Sequence, residues 1–510
     1  MKMRLLLGDQ LNIKHSWFKK TEDDVCYVQM EMRQETDYAP HHIQKVVAFF
    51  GAMRNFEKEI KQKGHHTKYL TLDDPENKQH LTENLNQLIK KHKITSFEYQ
   101  EPDEYRLDKQ IADFCQSLSI PFQMVSSEHF MTSRKALSTF FEGKKQYIME
   151  FFYRDMRKKF DILMQDQQPE GGQWNYDKNN RKKWKGTPTI PIPYFPKSEN
   201  LKSLYSLITN AGVKTIGNFN SDTFLFPLYR KKALEQLDYF CSNLLQYFGD
   251  YQDASHTEEV NLFHSRLSFA LNVKMISPLE VVEKTIAFYQ QNKEIIALSQ
   301  VEGFVRQIIG WREYMRGIYW KEMPKYKKSN QLNNHYPLPE FYWTGNTRMN
   351  CLKYSITNSL EHGYAHHIQR LMILGNFALL AQINPDQVDQ WYLGIYADAI
   401  EWVQLPNTRG MSQWADGGIV ATKPYVSSAA YIHKMSNYCE SCAYEKSKRV
   451  GSNACPFNSL YWNFLDDKKE YFKNNNRMAM MLRLLEKIPS EDLAEIKARA
   501  GEVLLDPDSF

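Results

Sequence analysis

No run of eighteen apolar residues occurs anywhere in the 510-residue chain, so no membrane-spanning helix is expected. A strand pattern begins at once, over Met3–Leu7, with no charged-then-apolar leader before it, and the reading is a cytoplasmic protein. No G-x-G-x-x-G follows that strand and no G-x₄-G-K-[ST] exists, which removes the dinucleotide fingerprint and the P-loop. No repeat period is visible, so a solenoid is excluded. Cysteine is scarce: seven residues, clustered rather than spread in pairs, speak against a disulfide scaffold and for a metal site in a reducing compartment. The net charge is only +5, so affinity for nucleic acid would require that charge to be concentrated.

Aromatics are abundant instead. Ten Trp, thirty Tyr and twenty-nine Phe exceed ordinary core filling, which leaves two readings: amphipathic packing, or a bound ring system with a path for electrons. Met3–Leu7, Val25–Gln29, Lys68–Leu72, Ser96–Gln100 and Phe122–Val125 read as strands. Ile43–Lys63, Lys78–His92 and Arg106–Leu118 read as helices between them. That alternation predicts an α/β domain over residues 1–130, built on a mostly parallel, doubly wound sheet. The polar turn Gly8-Asp9-Gln10 and the stretch Glu31–Tyr38 follow strand ends, where open sheets bind ligands or simply turn.

Residues 131–200 form a basic, proline-rich connector. Arg154, Arg157, Lys158 and Lys159 share a helical pattern, and Arg181-Lys182-Lys183-Trp184-Lys185 follows Gly171–Asp177. Such a run is either a solvated face or a nucleic-acid surface with interleaved aromatics. From 201 to 510 the chain reads as helices, over Leu228–Phe248, Pro278–Ser299, Val301–Met323, Asn350–Gln382 and Pro385–Ala399, a large all-α domain.

Cys439 and Cys442 form a C-x₂-C pair, with Cys455-Pro456 behind it. Three thiolates are one short of a closed site. Iron–sulfur, zinc and a redox dithiol all remain open, and Cys351 is the free cysteine on a segment expected to pack nearby. His362 and His366, four apart, would permit a zinc site. Arginine, hydroxyl, carboxylate and amide side chains gather in His264–Ser268, Gly303–Tyr314, His362–Arg370 and Tyr396–Trp402, a mixture that suits a pyrophosphate and a polar ring system together.

The Ser265-Arg266-Leu267-Ser268 step, the Trp311-Arg312-Glu313-Tyr314 helix and the stretch from Thr344-Gly345 to Met372 resemble the cryptochrome/photolyase family, and within it the bacterial iron–sulfur branch of prokaryotic (6-4) photolyases. The resemblance runs from Gly8 to about Leu465. Gly171–Arg181, Gly303–Trp320, Tyr364–Leu380 and Cys439–Leu460 carry it most specifically. It implies FAD in the helical domain, held by His264, Ser265, Arg266, Leu267, Ser268, Asn272, Gln307, Arg312, Asp398, Glu401, Gln404 and Asn407, with the flavin N5 partner open among the last three. It implies a 4Fe-4S cluster on Cys351, Cys439, Cys442 and Cys455. It also implies a 6,7-dimethyl-8-ribityllumazine antenna near Asp9, Gln10, Met30, Glu35 and Tyr38. The implied activity is light-driven repair of UV-damaged DNA by a bacterial monomer, through electron transfer to a flipped-out (6-4) lesion. His366 and His367 are the acid candidates, with Tyr425 beside the lesion. Trp343, Trp391 and Tyr392 are the implied electron relay, and Asp177 with Asp398 an Mg²⁺ site. Arg154, Arg157, Lys158, Arg181, Lys182 and Lys183 would meet DNA. A photoreceptor of the same fold without repair activity is the alternative. The cluster would act as a staple that sets the Cys351 helix, with its two histidines, against the flavin.

Overall fold

A computed structural model describes residues 1–510, apart from the side chain of Asn179. Five strands, β1 (Lys2–Leu5), β2 (Val25–Met30), β3 (His66–Leu70), β4 (Ser96–Gln100) and β5 (Phe122–Val125), form one sheet in the order β3-β2-β1-β4-β5. Every pairing is parallel, with Met3 opposite Cys26 on one side and Phe97 on the other. Alternation decides the two faces. Met3, Leu5, Val28, Met30, Phe97 and Tyr99 pack on α2 (Leu81–Lys91) and α3 (Tyr105–Gln116) through Leu81, Leu85, Leu88, Ile111 and Phe114. At about 1.5–3 kcal/mol for each large apolar side chain removed from water, this layer is a main source of local stability.

The opposite face carries α1 (Ile43–Gln62), whose Val46, Val47, Phe50, Met53, Phe56 and Ile60 recur at helical spacing. Its N-terminus is capped by His42, whose Nδ1 accepts the Gln44 N–H at 3.0 Å. The core under α1 continues without a break into the helical half, through Leu204, Leu228, Phe240, Phe269 and Phe304. A separate core holds the C-terminal half together, around Phe377, Trp391, Phe457, Phe464 and Phe472. Among the described residues no helix is long and apolar enough to cross a membrane.

The long helices expected in the second half are interrupted. Leu228–Phe248 divides into Arg230–Asn243 and Leu245–Tyr251, and Pro278–Ser299 stops at Gln291 before a new helix starts at Leu298. Three segments widen into π-helical turns: Arg306–Arg312, Gln369–Gly375 and Pro406–Ser412. Such turns break the regular ladder and commonly mark functional sites. Two of them abut at Gly375, where a Cβ would run into the Ser412 hydroxyl, so only glycine lets the segments approach.

The helix that begins near Cys351 also ends early. It covers Asn350–His362 and stops at Gly363, which takes a left-handed φ of 59°. His366 lies in the link beyond it and His367 opens the next helix. The expectation that this helix itself carries both histidines is therefore corrected, and with it the idea that His362 and His366 share a helix face.

Candidate active site

Three segments converge in the helical half. Ser268 Oγ donates to Asp398 Oδ2 at 2.6 Å, and Asn272 Nδ2 donates to the Asp398 carbonyl at 2.7 Å. Arg370 closes on the same carboxylate at 3.0 Å and lies 3.8 Å above the Tyr396 ring. From the first segment His264 stacks on His366, rings 4.7 Å apart and 9° from parallel. Burial, then His264, His367 and Arg370, hold the His366 pKa well below the usual imidazole value. His367 is exposed, and desolvation by the protein around it, then Arg370 and His264, push its pKa down to about 4. Both rings are thus neutral at neutral pH, so either one would first have to take up a proton before it could give one.

Several polar atoms in these walls lack a protein partner although buried. They include Arg266 Nη1, Asn261 Oδ1, His366 Nδ1 and His362 Nδ1. Arg266, at a φ of 57°, spends its other nitrogen on the Tyr194 carbonyl at 2.6 Å. Guanidinium, amide and imidazole groups left unsatisfied suit an anionic, hydrogen-bonding ligand, and the donor set fits a flavin dinucleotide.

Other expected contacts are engaged elsewhere. Arg312 is sandwiched between Phe130 and Trp402, each 4.9 Å from its guanidinium carbon, and donates to the Leu271 carbonyl. Leu267 is core, and Ser265, half-buried, gives its carbonyl to Gln236. Glu401 binds the Tyr319 hydroxyl at 2.7 Å and Lys327 at 2.9 Å, and its backbone N–H meets Glu104. Gln404 donates to Thr408, while Gln307 and Asn407 fold back on the Gly303 and Val403 carbonyls.

A second patch adjoins the histidines through Gln252–Ser255. The Gln252 carbonyl meets His264 Nε2 at 3.2 Å, and Ser255 Oγ meets His366 Nε2 at 3.3 Å. Between them Asp253 has its pKa raised to about 6, by burial first and by the Asp177 charge second. Tyr425 and Tyr431 lie in the same field, with Arg181. Asp253 carried no motif, and only its place between two bonded neighbours reveals it. Asp398 is locked to Arg370 and Ser268, so the expected pairing of Asp177 with Asp398 is corrected: the carboxylate beside Asp177 is Asp253.

The aromatic file also takes shape. Trp391 is fully buried, 5.2 Å from both Tyr342 and Tyr392 and 5.9 Å from Tyr396. The Tyr392 hydroxyl donates to the Arg370 carbonyl at 2.6 Å. Trp343, next to Tyr342 in the chain, reaches the surface with 36 % of its area exposed. Tyr342 and Tyr396 were not singled out in the sequence because nothing separates them there from packing residues.

Cys351, Cys439, Cys442 and Cys455 line one small cavity of about 10 Å³. Burial and the three neighbouring thiols push the Cys351 pKa well up, and Cys455 rises to about 12. Thiols held protonated in this way would ionise only beside a positive centre. Among the described residues no three His, Cys, Asp or Glu side chains converge tightly enough on a single ion. The four cysteines line this space with no histidine among them, a donor set that fits a four-cysteine iron–sulfur cluster or a Cys₄ zinc site.

At the carboxyl ends of β1 and β2 a cavity of about 120 Å³ is lined by Asp9, Met30, Glu35, Tyr38, Lys45 and Glu104, with Ala399 and Ile400 from the helical half. Gln10 is not in its lining; it bonds the Leu7 N–H and the Gln100 carbonyl as a turn brace, which corrects its expected role. Burial raises Glu104 to about 7 and lowers Lys45 to about 8.

The basic segment divides. Arg157 is 1 % exposed and caps the Ile162, Leu163 and Trp174 carbonyls, so it braces the interior and cannot meet DNA. Arg154 and Lys158 flank the Trp174 ring from about 5.5 and 5.4 Å. Arg181, Lys182 and Lys183 reach solvent while paired with Asp177, Asp250 and Glu440. Trp184 is buried, so it offers no stacking platform.

Comparison with known proteins accounts for this arrangement. Residues 4–224 match the family described as deoxyribodipyrimidine photo-lyase-related protein. The chain is 40 % identical over 504 residues to a (6-4) photolyase of Agrobacterium fabrum, covering 98 % of both chains. Its fold is similar to a bacterial class III photolyase from Agrobacterium tumefaciens, with a TM-score of 0.55, 14 % identity and coverage of 97 % and 91 %. It is equally similar to a Synechocystis cryptochrome, with a TM-score of 0.56, 13 % identity and coverage of 99 % and 94 %. Full-length identity at this level makes the chain a member of the photolyase family.

Proposed function

We propose that the protein is a light-dependent (6-4) photolyase that returns pyrimidine–pyrimidone (6-4) photoproducts in DNA to the original bases. The observation that carries this reading is the 40 % identity, spread over 98 % of the chain, to an enzyme of that activity. FAD would rest against Ser268, Asn272, Arg266, Arg370 and Asp398, and when bound it supplies the photoexcited electron. Gln404 and Asn407 are the candidates to face its N5, since both Glu401 oxygens are spent on Tyr319 and Lys327 while each amide uses only its NH₂ and keeps its oxygen.

The chain's own work is to seat the lesion and move a proton. A flipped-out dinucleotide would enter past Tyr425, with Arg154, Lys158, Arg181, Lys182 and Lys183 meeting phosphates. Asp177 and Asp253 would hold Mg²⁺ against the DNA backbone, with Asp177 exchanging its pairing with Arg181 for the ion. His367, the exposed ring, would take up a proton when the phosphates of the lesion bring negative charge beside it, give that proton to the lesion and recover it afterwards, with His366 behind it. Trp391, Tyr392 and Trp343 would form the route by which the flavin is first reduced. The cavity at the sheet would hold the ribityllumazine antenna, against Asp9, Met30, Glu35 and Tyr38. The four cysteines would hold a 4Fe-4S cluster as a staple between residues nearly ninety apart, restricting the unfolded chain.

The test offers purified, reduced protein two oligonucleotides under blue light, one with a (6-4) product and one with a cyclobutane dimer. Restoration of the first alone is expected. Restoration of the dimer alone would reassign the lesion, and restoration of neither would make the protein a photoreceptor.

A further inference from the structure

Tyr438 lies one residue before Cys439 and lines the cysteine cavity, yet its side chain belongs to a different network. It is buried, and its ring stacks on Tyr354, centroids 5.9 Å apart and 14° from parallel. Its hydroxyl accepts the Gln369 side-chain N–H at 3.1 Å. Gln369 uses its oxygen to accept the backbone N–H of His366 at 3.3 Å and an Asn358 N–H at 3.1 Å. The phenol also faces the hydroxyls of Ser355 and Ser255, and the second of these sits 3.3 Å from His366 Nε2. Backbone bonds tie the two strands of this arrangement together: Ser255 N–H donates to the Met435 carbonyl, and Tyr438 N–H donates to Ser436 Oγ.

The polarity of the chain follows from what each group can do. The Tyr438 oxygen already accepts from Gln369, so its own hydrogen is directed to the neighbouring serine hydroxyls, of which Ser255 is the one that reaches the imidazole. Ser255 then donates to His366 Nε2, which places the imidazole proton on Nδ1. That nitrogen is buried and has no protein partner. A buried N–H without a partner is costly, and it is tolerated where a ligand completes it.

We propose that Tyr438 is a positioning residue for the repair reaction: acting through Gln369 and Ser255, it fixes the backbone of His366 and selects the tautomer that presents Nδ1–H to the bound ligand. The proposal rests on the repair activity proposed above. It gives the cysteine-bearing segment a second task beside holding its cluster, because the residue adjoining Cys439 aims the histidine pair.

Tyr438→Phe keeps the stacked ring and removes only the hydroxyl. Iron content, flavin content and DNA affinity are expected to stay within about twofold of the parent, while repair per absorbed photon falls on the order of 10- to 100-fold, the scale set by a misplaced reacting group. In a His366→Ala background the same change is expected to cost nothing further, since it acts through the ring already removed. In the intact holoprotein with ¹⁵N-labelled histidine, the His366 nitrogen shifts are expected to report Nδ1–H in the parent and a tautomer mixture in Tyr438→Phe. Unchanged repair, a loss that adds to that of His366→Ala, or a loss that follows iron content would each overturn the proposal. If the parent repairs nothing, the functional reading fails while the nitrogen shifts still decide the role of Tyr438; an identical tautomer in both proteins would sink it.

Discussion

At the residue scale the histidines show how burial sets chemistry. His42 accepts at Nδ1 to cap α1, and its Nε2 donates to the Leu360 carbonyl at 2.8 Å, a pairing that only the neutral ring can make. Its pKa is lowered to about 4, chiefly by burial. The unfolded chain, with an ordinary value near 6.5, binds the proton first as pH falls. Stability is therefore complete above about 6.5, declines as pH drops through the window, and is lost near 4. Thermal unfolding from pH 4 to 7 is expected to show this rise, with a shallower slope in His42→Asn. His367 is the residue on which repair is expected to depend most. His367→Ala should lower repair by about 10²- to 10⁴-fold, the usual worth of a proton donor, without releasing flavin. Retained repair would move the acid to His366.

The element scale is where the sequence was least legible. Strand alternation and the α1 pattern were readable because each places apolar groups on one face, and β4 and β5 fall on the expected residues. The helical half kept an unbroken apolar pattern through Gly363 and through the π-turns, since a buried segment is apolar whether its ladder is regular or not. Arg157 looked like its basic neighbours because nothing local says that three carbonyls await it. The C-x₂-C pair pointed to a metal, but its fourth partner came from resemblance. Gly375→Ala should push the Ser412 segment away and cost on the order of 1–3 kcal/mol, read as a lower melting temperature with weaker flavin retention. An unaltered melting curve would mean that the two π-turns are free to separate. Trp391→Phe should slow flavin photoreduction severely while the flavin absorbance stays intact.

Across the whole molecule, the two halves are joined by charge as well as by core. Lys274, wholly buried in the helical half, reaches Asp9 at 2.8 Å and Asp103 at 2.7 Å, both from the sheet domain. Burial opposes the charge on Lys274, but the two carboxylates outweigh it and its pKa is raised. Removing it leaves Asp9 without a cation and Asp103 with only Arg316, at 3.7 Å, and Lys274→Met should cost about 3–5 kcal/mol by denaturant unfolding. Asp9 also lines the sheet cavity, while Ala399 and Ile400 of that same lining adjoin Asp398 in the cleft. One short segment thus forms a wall of both proposed chromophore sites, a place from which absorbed energy need travel little.

The central claim is that the cleft around His366, His367 and Asp398 reverses (6-4) lesions with light. The most direct measurement follows a single defined (6-4) oligonucleotide by mass-neutral chromatography, with reduced protein, in matched blue-light and dark samples. The expected result is conversion to the undamaged strand in the light alone, nearly abolished in His367→Ala. Equal conversion in the dark, or none in the light with flavin bound and reduced, would contradict it.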